Sequence, residues 1–327
     1  MAIELRSVAR LKELREALVP LWPRSLIPYH VLKHMVEAVL PASYRAACFV
    51  DRWPNPSLVW TSYFEPATRA PETCNFSLFA PNLKDLRFTF SPASSNNEAA
   101  RSFVSCVADQ LGLGSGRFTL IGNSNNEAGI TRALIAGILD AGTRHGVRIN
   151  LDTDGVDYQM WWQPLSMWNK QKKNRIQLPM ELYVDRLRDS DVKEVNAAWP
   201  HREKFPGSDE YMKIWVEHLP SLCFREKVDD SLATWELTEF IGCGTHGFVM
   251  PKWRGKGLQA MRTWLCSKEK WEKGIVPFGF IAPDNKNSIN SVKKIAAWEL
   301  ADVTVALLMG YPESVKRPSD RIPASKL

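Results

Sequence analysis

Residues 248–259 read Phe248-Val249-Met250-Pro251-Lys252-Trp253-Arg254-Gly255-Lys256-Gly257-Leu258-Gln259, an apolar run that ends at a proline and passes through a basic, glycine-bearing turn. Beyond the turn, Leu258, Met261 and Leu265 recur at helical spacing, so the turn joins a strand to a helix. Gly255 and Gly257 let the backbone adopt conformations barred to other residues and approach a ligand closely. The helix start adds unpaired N–H donors and the positive end of its dipole. Arg254 and Lys256 add full charges, so the ligand implied is a pyrophosphate-like anion. The spacing matches neither the GxxxxGK[ST] loop nor the dinucleotide GxGxxG. The same residues would also suit an ordinary basic turn before a helix, and the choice between the two readings rests on the surrounding chain.

The second half organises itself around this turn. A strand is expected over Leu182–Leu187, and Asp189-Ser190-Asp191 offer caps for a helix running to about Ala198. A second helix covers Asp209–Leu219. Strands follow at Leu222–Glu226, Leu232–Thr238 and Thr245–Met250, then the helix after Gly257, a strand at Ile275–Ile281, a helix at Ser288–Trp298 and a strand at Val303–Met309. The order β-α-α-β-β-β-α-β-α-β gives an α/β or α+β layered domain with a central mixed sheet. The first half is less distinct. Helices are expected at Val8–Leu18, Tyr29–Val39 and Asn126–Arg144, and strands at Ala46–Val50, Ser57–Tyr63 and Val147–Leu151. The polar, basic stretch from Leu165 to Pro179 is read as a linker. The expected division is therefore 1–165, a linker at 166–179, a second domain at 180–312 and a tail at 313–327.

With 327 residues, 45% of them apolar and 24% charged, the chain has the balance of a soluble globular protein of two domains. Its net charge of +6 favours anionic partners. The basic residues are scattered, and no basic-aromatic interleaving marks a nucleic-acid binder. No apolar run reaches the length of a membrane span. The six cysteines form no CxxC pair and read as reduced thiols. His30 and His34 stand four apart with no third ligand, and read as a helix-surface pair rather than a metal site. No metal is expected.

The turn is similar to the coenzyme-A loop of the GNAT superfamily, R-x-x-G-x-G/A, carried here by Arg254 and Gly257, with Gln259 departing from the small final residue. More of the chain resembles the glycine N-acyltransferase family. Trp235-Glu-Leu-Thr-Glu-Phe-Ile-Gly242, a strand, and then Pro251-Lys-Trp-Arg254-Gly-Lys-Gly257-Leu258 follow that family's pattern, and Val50-Asp51-Arg52-Trp53-Pro54 matches its V-D-K/R-W-P signature. Ala198-Trp199-Pro200 and Leu219-Pro220-Ser221 add to the likeness. The resemblance implies a catalytic GNAT-like second half and a degenerate GNAT-like first half. It implies transfer of an acyl group from acyl-CoA to the amine of glycine or another small amino acid, with acyl-CoA as co-substrate and no permanently bound cofactor. The pantetheine arm would run along Phe248, Val249 and Met250. Arg254, Gly255, Lys256, Gly257 and Leu258 would hold the diphosphate, and Asn287 would contact the arm or simply cap its helix.

The chemistry needs a proton acceptor for the attacking amine. In the glycine N-acyltransferases a Glu proposed for that role follows the Gly of the hairpin turn, and Cys243 stands at that place here. His246 has a suitable intrinsic pKa and is the first candidate base, Glu239 is the second, and Cys243 is a candidate relay nucleophile. Two other readings stay open: an acetyl-CoA-dependent N-acetyltransferase acting on another amine, and a non-catalytic acyl-CoA binder. The final residues Ser325-Lys326-Leu327 form the SKL tripeptide that an import receptor reads, so the peroxisome is the expected location.

Overall fold

In the computed structural model, the described residues are 1–41, 45–64, 74–79, 95–111, 118–123, 128–200, 202, 208–294 and 296–312. The tail at 313–327, with its Ser325-Lys326-Leu327 ending, lies outside them. The chain divides into two compact units. One comprises Met1–Tyr158 with the residues of the last strand from Asp302 onward, and the other comprises Gln159–Ala301.

The first unit begins with β1 (Ile3–Glu4), α1 (Val8–Leu18) and α2 (Leu26–Val36). It continues through β2 (Arg45–Val50), β3 (Val59–Phe64), β4 (Cys74–Phe79), α3 (Ser95–Leu111), β5 (Phe118–Asn123) and α4 (Ala128–Arg144), and runs into β6 (Ile149–Trp162). Its strands β1 to β4 are antiparallel neighbours, and β4 pairs parallel with β5. The Leu11, Leu14 and Leu18 stripe of α1 packs with Leu5, Leu32, Cys48, Val50 and Val59, as the spacing of three and four requires. Asp51, from the V-D-R-W-P stretch, has a structural part: its carboxylate accepts the Ser57 and Leu58 N–H groups at 2.8 and 2.9 Å and shapes the turn into β3. His30 and His34 are buried at 0% and 2% exposure, not on the helix surface as expected. The face of α2 that carries them is turned inward, which an i, i+4 spacing alone does not decide.

The second unit repeats the same order of elements. After α5 (Leu165–Gln171) come β7 (Leu182–Asp185), α6 (Val192–Ala197), α7 (Ser208–His218), β8 (Ser221–Glu226), β9 (Leu232–Thr238) and β10 (Gly244–Val249). Then come α8 (Leu258–Glu272), β11 (Phe278–Ile281), α9 (Lys286–Lys294) and β12 (Glu299–Pro312). Strands β7 to β10 are antiparallel neighbours, and β10 meets β11 in parallel. Strand β9 is buried at all seven positions and lies between β8 and β10. A core of Leu182, Leu222, Phe224, Ala233, Trp253, Leu258 and Cys266 lies on one of its faces and reaches into the glycine turn through Trp253.

The expected division of the chain is corrected at two points. Strand β12 closes the first unit by pairing antiparallel with β5, and the last residues of β6 close the second by pairing with β11. The second unit is therefore not 180–312 but begins at Gln159 and gives up the end of β12. The expected linker at 166–179 carries most of α5, whose Trp168 is buried and lies 6.0 Å from the Trp264 ring. A local reading of polarity cannot detect a strand that is paired with a distant part of the chain. No helix among the described residues is long and apolar enough to cross a membrane.

Trp235 is fully buried at the centre of β9. Trp235→Ala is expected to lower the unfolding free energy by about 3–5 kcal/mol, the cost of a large aromatic cavity. Urea denaturation followed by far-UV circular dichroism checks it, and an unchanged midpoint would mean that the strand is not central.

Candidate active site

Strand β10 is irregular on both edges. Toward β9 the register runs Gly244↔Thr238 and Thr245↔Leu237, then shifts to Phe248↔Trp235 and Val249↔Thr234. His246 and Gly247 thus oppose the single residue Glu236, which is a β-bulge, and His246 takes a left-handed φ of +54°. Toward β11, the register joins the two strands only at Gly244↔Gly279 among the described residues. From Thr245 to Val249 β10 forms no ladder pair with β11 among the described residues, so this edge is open to a ligand strand and the two parallel strands form a wedge.

The glycine turn lies at the wide end of the wedge. A 3-10 turn at Pro251–Trp253 leads into Arg254, and Gly255 and Gly257 have φ of +77° and +75°. A Cβ at Gly255 would meet nothing within 4 Å, so that glycine is required by its backbone angle and not by space. Gly257 is the N-cap of α8 and supplies no side-chain cap, and the helix ladder begins with the Met261 N–H to the Gly257 carbonyl. The N–H groups ahead of it have no partner within the helix, and residues 254–257 are exposed. Buried Trp253 anchors the turn by donating from Nε1 to Glu226 Oε1 at 2.9 Å. The Lys252 ammonium at 2.5 Å and this bond hold the Glu226 carboxyl below its ordinary range. Lys256 Nζ lies 4.2 Å from the centre of the Trp253 ring. Arg254 lies 5.4 Å from the Phe248 ring centre, and its Nε donates to the Val249 carbonyl at 3.2 Å. Glycines, helix donors and two exposed cations are thus gathered at one place.

No known protein family's sequence profile matches the chain, and no curated protein matches it in sequence. Solved structures do. The chain is similar to a Drosophila protein solved by structural genomics, with a TM-score of 0.66 and 18% identity over 95% of this chain and 98% of that one. It is also similar to the tandem GNAT protein of the clavulanic acid biosynthesis pathway, with a TM-score of 0.52 and 10% identity over 95% and 98% of the two chains. The fold is the tandem GNAT fold. The expected GNAT-like architecture, with a mixed sheet flanked by helices and a second GNAT-like half, is therefore found.

Within this GNAT fold the candidate bases occupy different surroundings. His246 sits on the bulge. Its Nδ1 lies 2.9 Å from Thr245 Oγ1, and its ring centre lies 4.4 Å from Trp199 and 5.7 Å from Trp215. Trp199 belongs to the Ala198-Trp199-Pro200 stretch, which thereby acquires a place beside the wedge. Glu239 lies in the hairpin turn between β9 and β10, where its N–H donates to the Cys243 carbonyl at 3.1 Å. Burial pushes the Glu239 carboxyl up to about 7, against the opposing effects of a Cys243 hydrogen bond and the Lys270 charge. Cys243 is buried, and burial together with the Glu239 charge raises its thiol well above the ordinary value. A thiol raised in this way is held away from the thiolate form that a relay nucleophile needs. Asn287 is exposed in the first turn of α9, and the helix is capped instead by Asn285, whose Oδ1 accepts the Ser288 N–H at 3.1 Å. Gln259 donates to Ser288 Oγ at 3.0 Å and so joins α8 to α9.

Sequence reading missed the charges beneath β10. Glu236, Arg262 and Lys270 are 7%, 2% and 2% exposed. Glu236 lies 3.4 Å from Arg262 and 3.9 Å from Lys270. Arg262, Cys266 and Lys270 recur every four residues on α8 and form a buried stripe, whereas Met261 and Leu265 of the expected apolar face are only partly covered. The i, i+8 spacing of the two cations, with Cys266 between them, was the available signal. Among the described residues, no group of His, Cys, Asp and Glu is arranged to hold a metal ion.

Because folding raises the Glu239 pKa from an ordinary 4.5 to about 7, the stabilisation tied to its protonated form is complete below 4.5 and is lost as pH rises through about 7. Chemical denaturation of the wild type is expected to show a midpoint that falls between about pH 5 and about pH 8 relative to Glu239→Gln. Parallel pH curves for the two proteins would show that the carboxyl ionises freely.

Proposed function

We propose that the second unit binds acyl-CoA and transfers its acyl group to an amine, that of glycine or another small amino acid. The observation that carries this reading is the open edge of β10 running directly into a positive-φ glycine turn at the start of α8. An amide-bearing pantetheine arm is the kind of ligand that adds to an open strand edge. A diphosphate suits the N–H groups and cations of residues 254–258. The glycine N-acyltransferase-like stretches at Trp235–Gly242 and Val50–Pro54 support the choice of acceptor.

In the proposed reaction the unprotonated amine attacks the thioester carbonyl. A C–N bond forms, the oxygen takes the electron pair, and donors on the open edge of β10 stabilise it. The C–S bond then breaks and the coenzyme-A thiolate leaves, which is facile because a thiol ionises near pH 8.5. His246, on the bulge at the mouth of the open edge, takes the amine's proton, and Glu239 is the second candidate.

A second reading, an acyl-CoA binder without turnover, is favoured by one observation: a buried Cys243 stands where the resembling family has its Glu. Coenzyme-A binding without thiol release on a panel of amines would favour that reading.

Arg254→Glu combined with Gly257→Glu is expected to abolish coenzyme-A binding in calorimetry while circular dichroism stays native. Undiminished binding would remove the turn from the site. Free-thiol release against pH separates the candidate bases. His246→Asn should lose the acidic limb of the profile and about 10²–10⁴-fold in rate, while Glu239→Gln keeps that limb; the reverse outcome would transfer the role to Glu239.

A further inference from the structure

The bulge of β10 is held from beneath by groups to which the proposed reaction assigns no part. Thr234 Oγ1 donates to the Phe248 carbonyl at 2.6 Å. Arg262 Nη1 donates to the same carbonyl at 3.0 Å and to Thr234 Oγ1 at 2.8 Å. The other end of the guanidinium, Nη2, lies 3.4 Å from Glu236 Oε2, and Glu236 in turn faces Lys270. The fit under the strand is tight. A Cβ at Gly247 would come within 2.8 Å of Arg262 Nη2, and one at Gly244 within 2.6 Å of Glu236 Oε1. The two glycines of β10 therefore admit the ionic group where any side chain would displace it.

Taking two cations and a carboxylate out of water costs several kcal/mol per ion, and an apolar filling of similar volume is often as stable. The arrangement therefore calls for a purpose other than stability. The orientation of the held carbonyl supplies one. The Met250 N–H donates to Ala233 on β9, so residues 248 and 250 turn their polar groups toward β9 and Val249 turns its own toward the open edge. The Val249 carbonyl is the one that meets Arg254. Fixing the Phe248 carbonyl thus fixes which groups the open edge presents.

We infer that Arg262 is a positioning residue, which by gripping the Phe248 carbonyl through the bulge sets the backbone edge against which the thioester is held. This rests on the acyl-transfer reading above. Misplacement of a reacting group by about an ångström costs on the order of 10²-fold in rate, so a loosened edge should lower kcat more than it weakens binding through the distant turn.

The test uses the full chain with two variants. Arg262→Lys keeps a charge beside Glu236 but loses the planar fork. Thr234→Val removes only the bridging hydroxyl and serves if the first fails to fold. Amide exchange over residues 244–250, the coenzyme-A Kd by calorimetry, and kcat and KM by free-thiol release are measured together. The expected result is faster exchange over that segment and a kcat lowered about 10–100-fold, with Kd changed less than about threefold. Unchanged exchange or unchanged kcat in a folded variant overturns the inference. So does a parallel loss of kcat, Kd and melting temperature, which would make the role merely structural. Wild-type protein that binds coenzyme A but acylates no amine would sink the catalytic reading alone, and the exchange measurement would still decide whether Arg262 holds the strand.

Discussion

A strand that gives up a neighbour must dispose of its freed backbone groups, since a peptide N–H or carbonyl without a partner costs free energy once water is excluded. In this chain β10 separates from β11 beyond Gly244, and the geometry of the second unit follows from how that loss is managed. On the retained side β10 stays tied to β9, but only by taking in one residue too many at His246 and Gly247. On the abandoned side one carbonyl, that of Val249, is covered by Arg254 from the turn ahead. The remainder of that edge is what a ligand of alternating donors and acceptors would complete.

The two glycine pairs serve different ends. Gly255 and Gly257 are there for backbone angles that other residues resist, and they turn the chain so that the start of α8 faces outward. Gly244 and Gly247 are there for closeness, because the charged side chains of β9 and α8 lie directly beneath them. Trp253 connects the two regions: its ring is part of the core under β9, while Lys256 of the exposed turn rests on it.

Much of this was legible in the sequence. The boundaries of α1 and β9 follow from apolar spacing, and the turn between β10 and α8 follows from glycine and charge placement. What escaped did so for physical reasons. Strands β4 and β5 and helix α3 lie in a stretch whose residues carry no distinctive pattern. Strand β6 was expected only at Val147–Leu151 and runs instead to Trp162, because its later residues pair with β11 from far along the chain. The inner face of α8 was mistaken because Arg262 and Lys270, ordinarily surface residues, are admitted to the interior by Glu236 and by two missing side chains overhead. His30 and His34 were placed outside for a similar reason: polarity is a poor guide to burial wherever partners are present. Asn287, read as a contact to the arm or a cap, lies one residue inside α9, so the cap falls to Asn285, whose Oδ1 accepts the Ser288 N–H.

The repeated order of elements hides an asymmetry in how the chain is used. Each unit borrows its closing strand from a segment that local reading would allot to the other, β12 for the first and the end of β6 for the second. No single cut between them therefore yields two whole pieces: a fragment beginning near Leu182 would lack a border strand, and one ending near Gln171 would lack another. Although the pattern is duplicated, among the described residues only the second half is one continuous stretch of chain, Gln159–Ala301, while the first needs both ends of the sequence, so a change that disrupts the last strand would be felt by the unit made from the beginning of the chain.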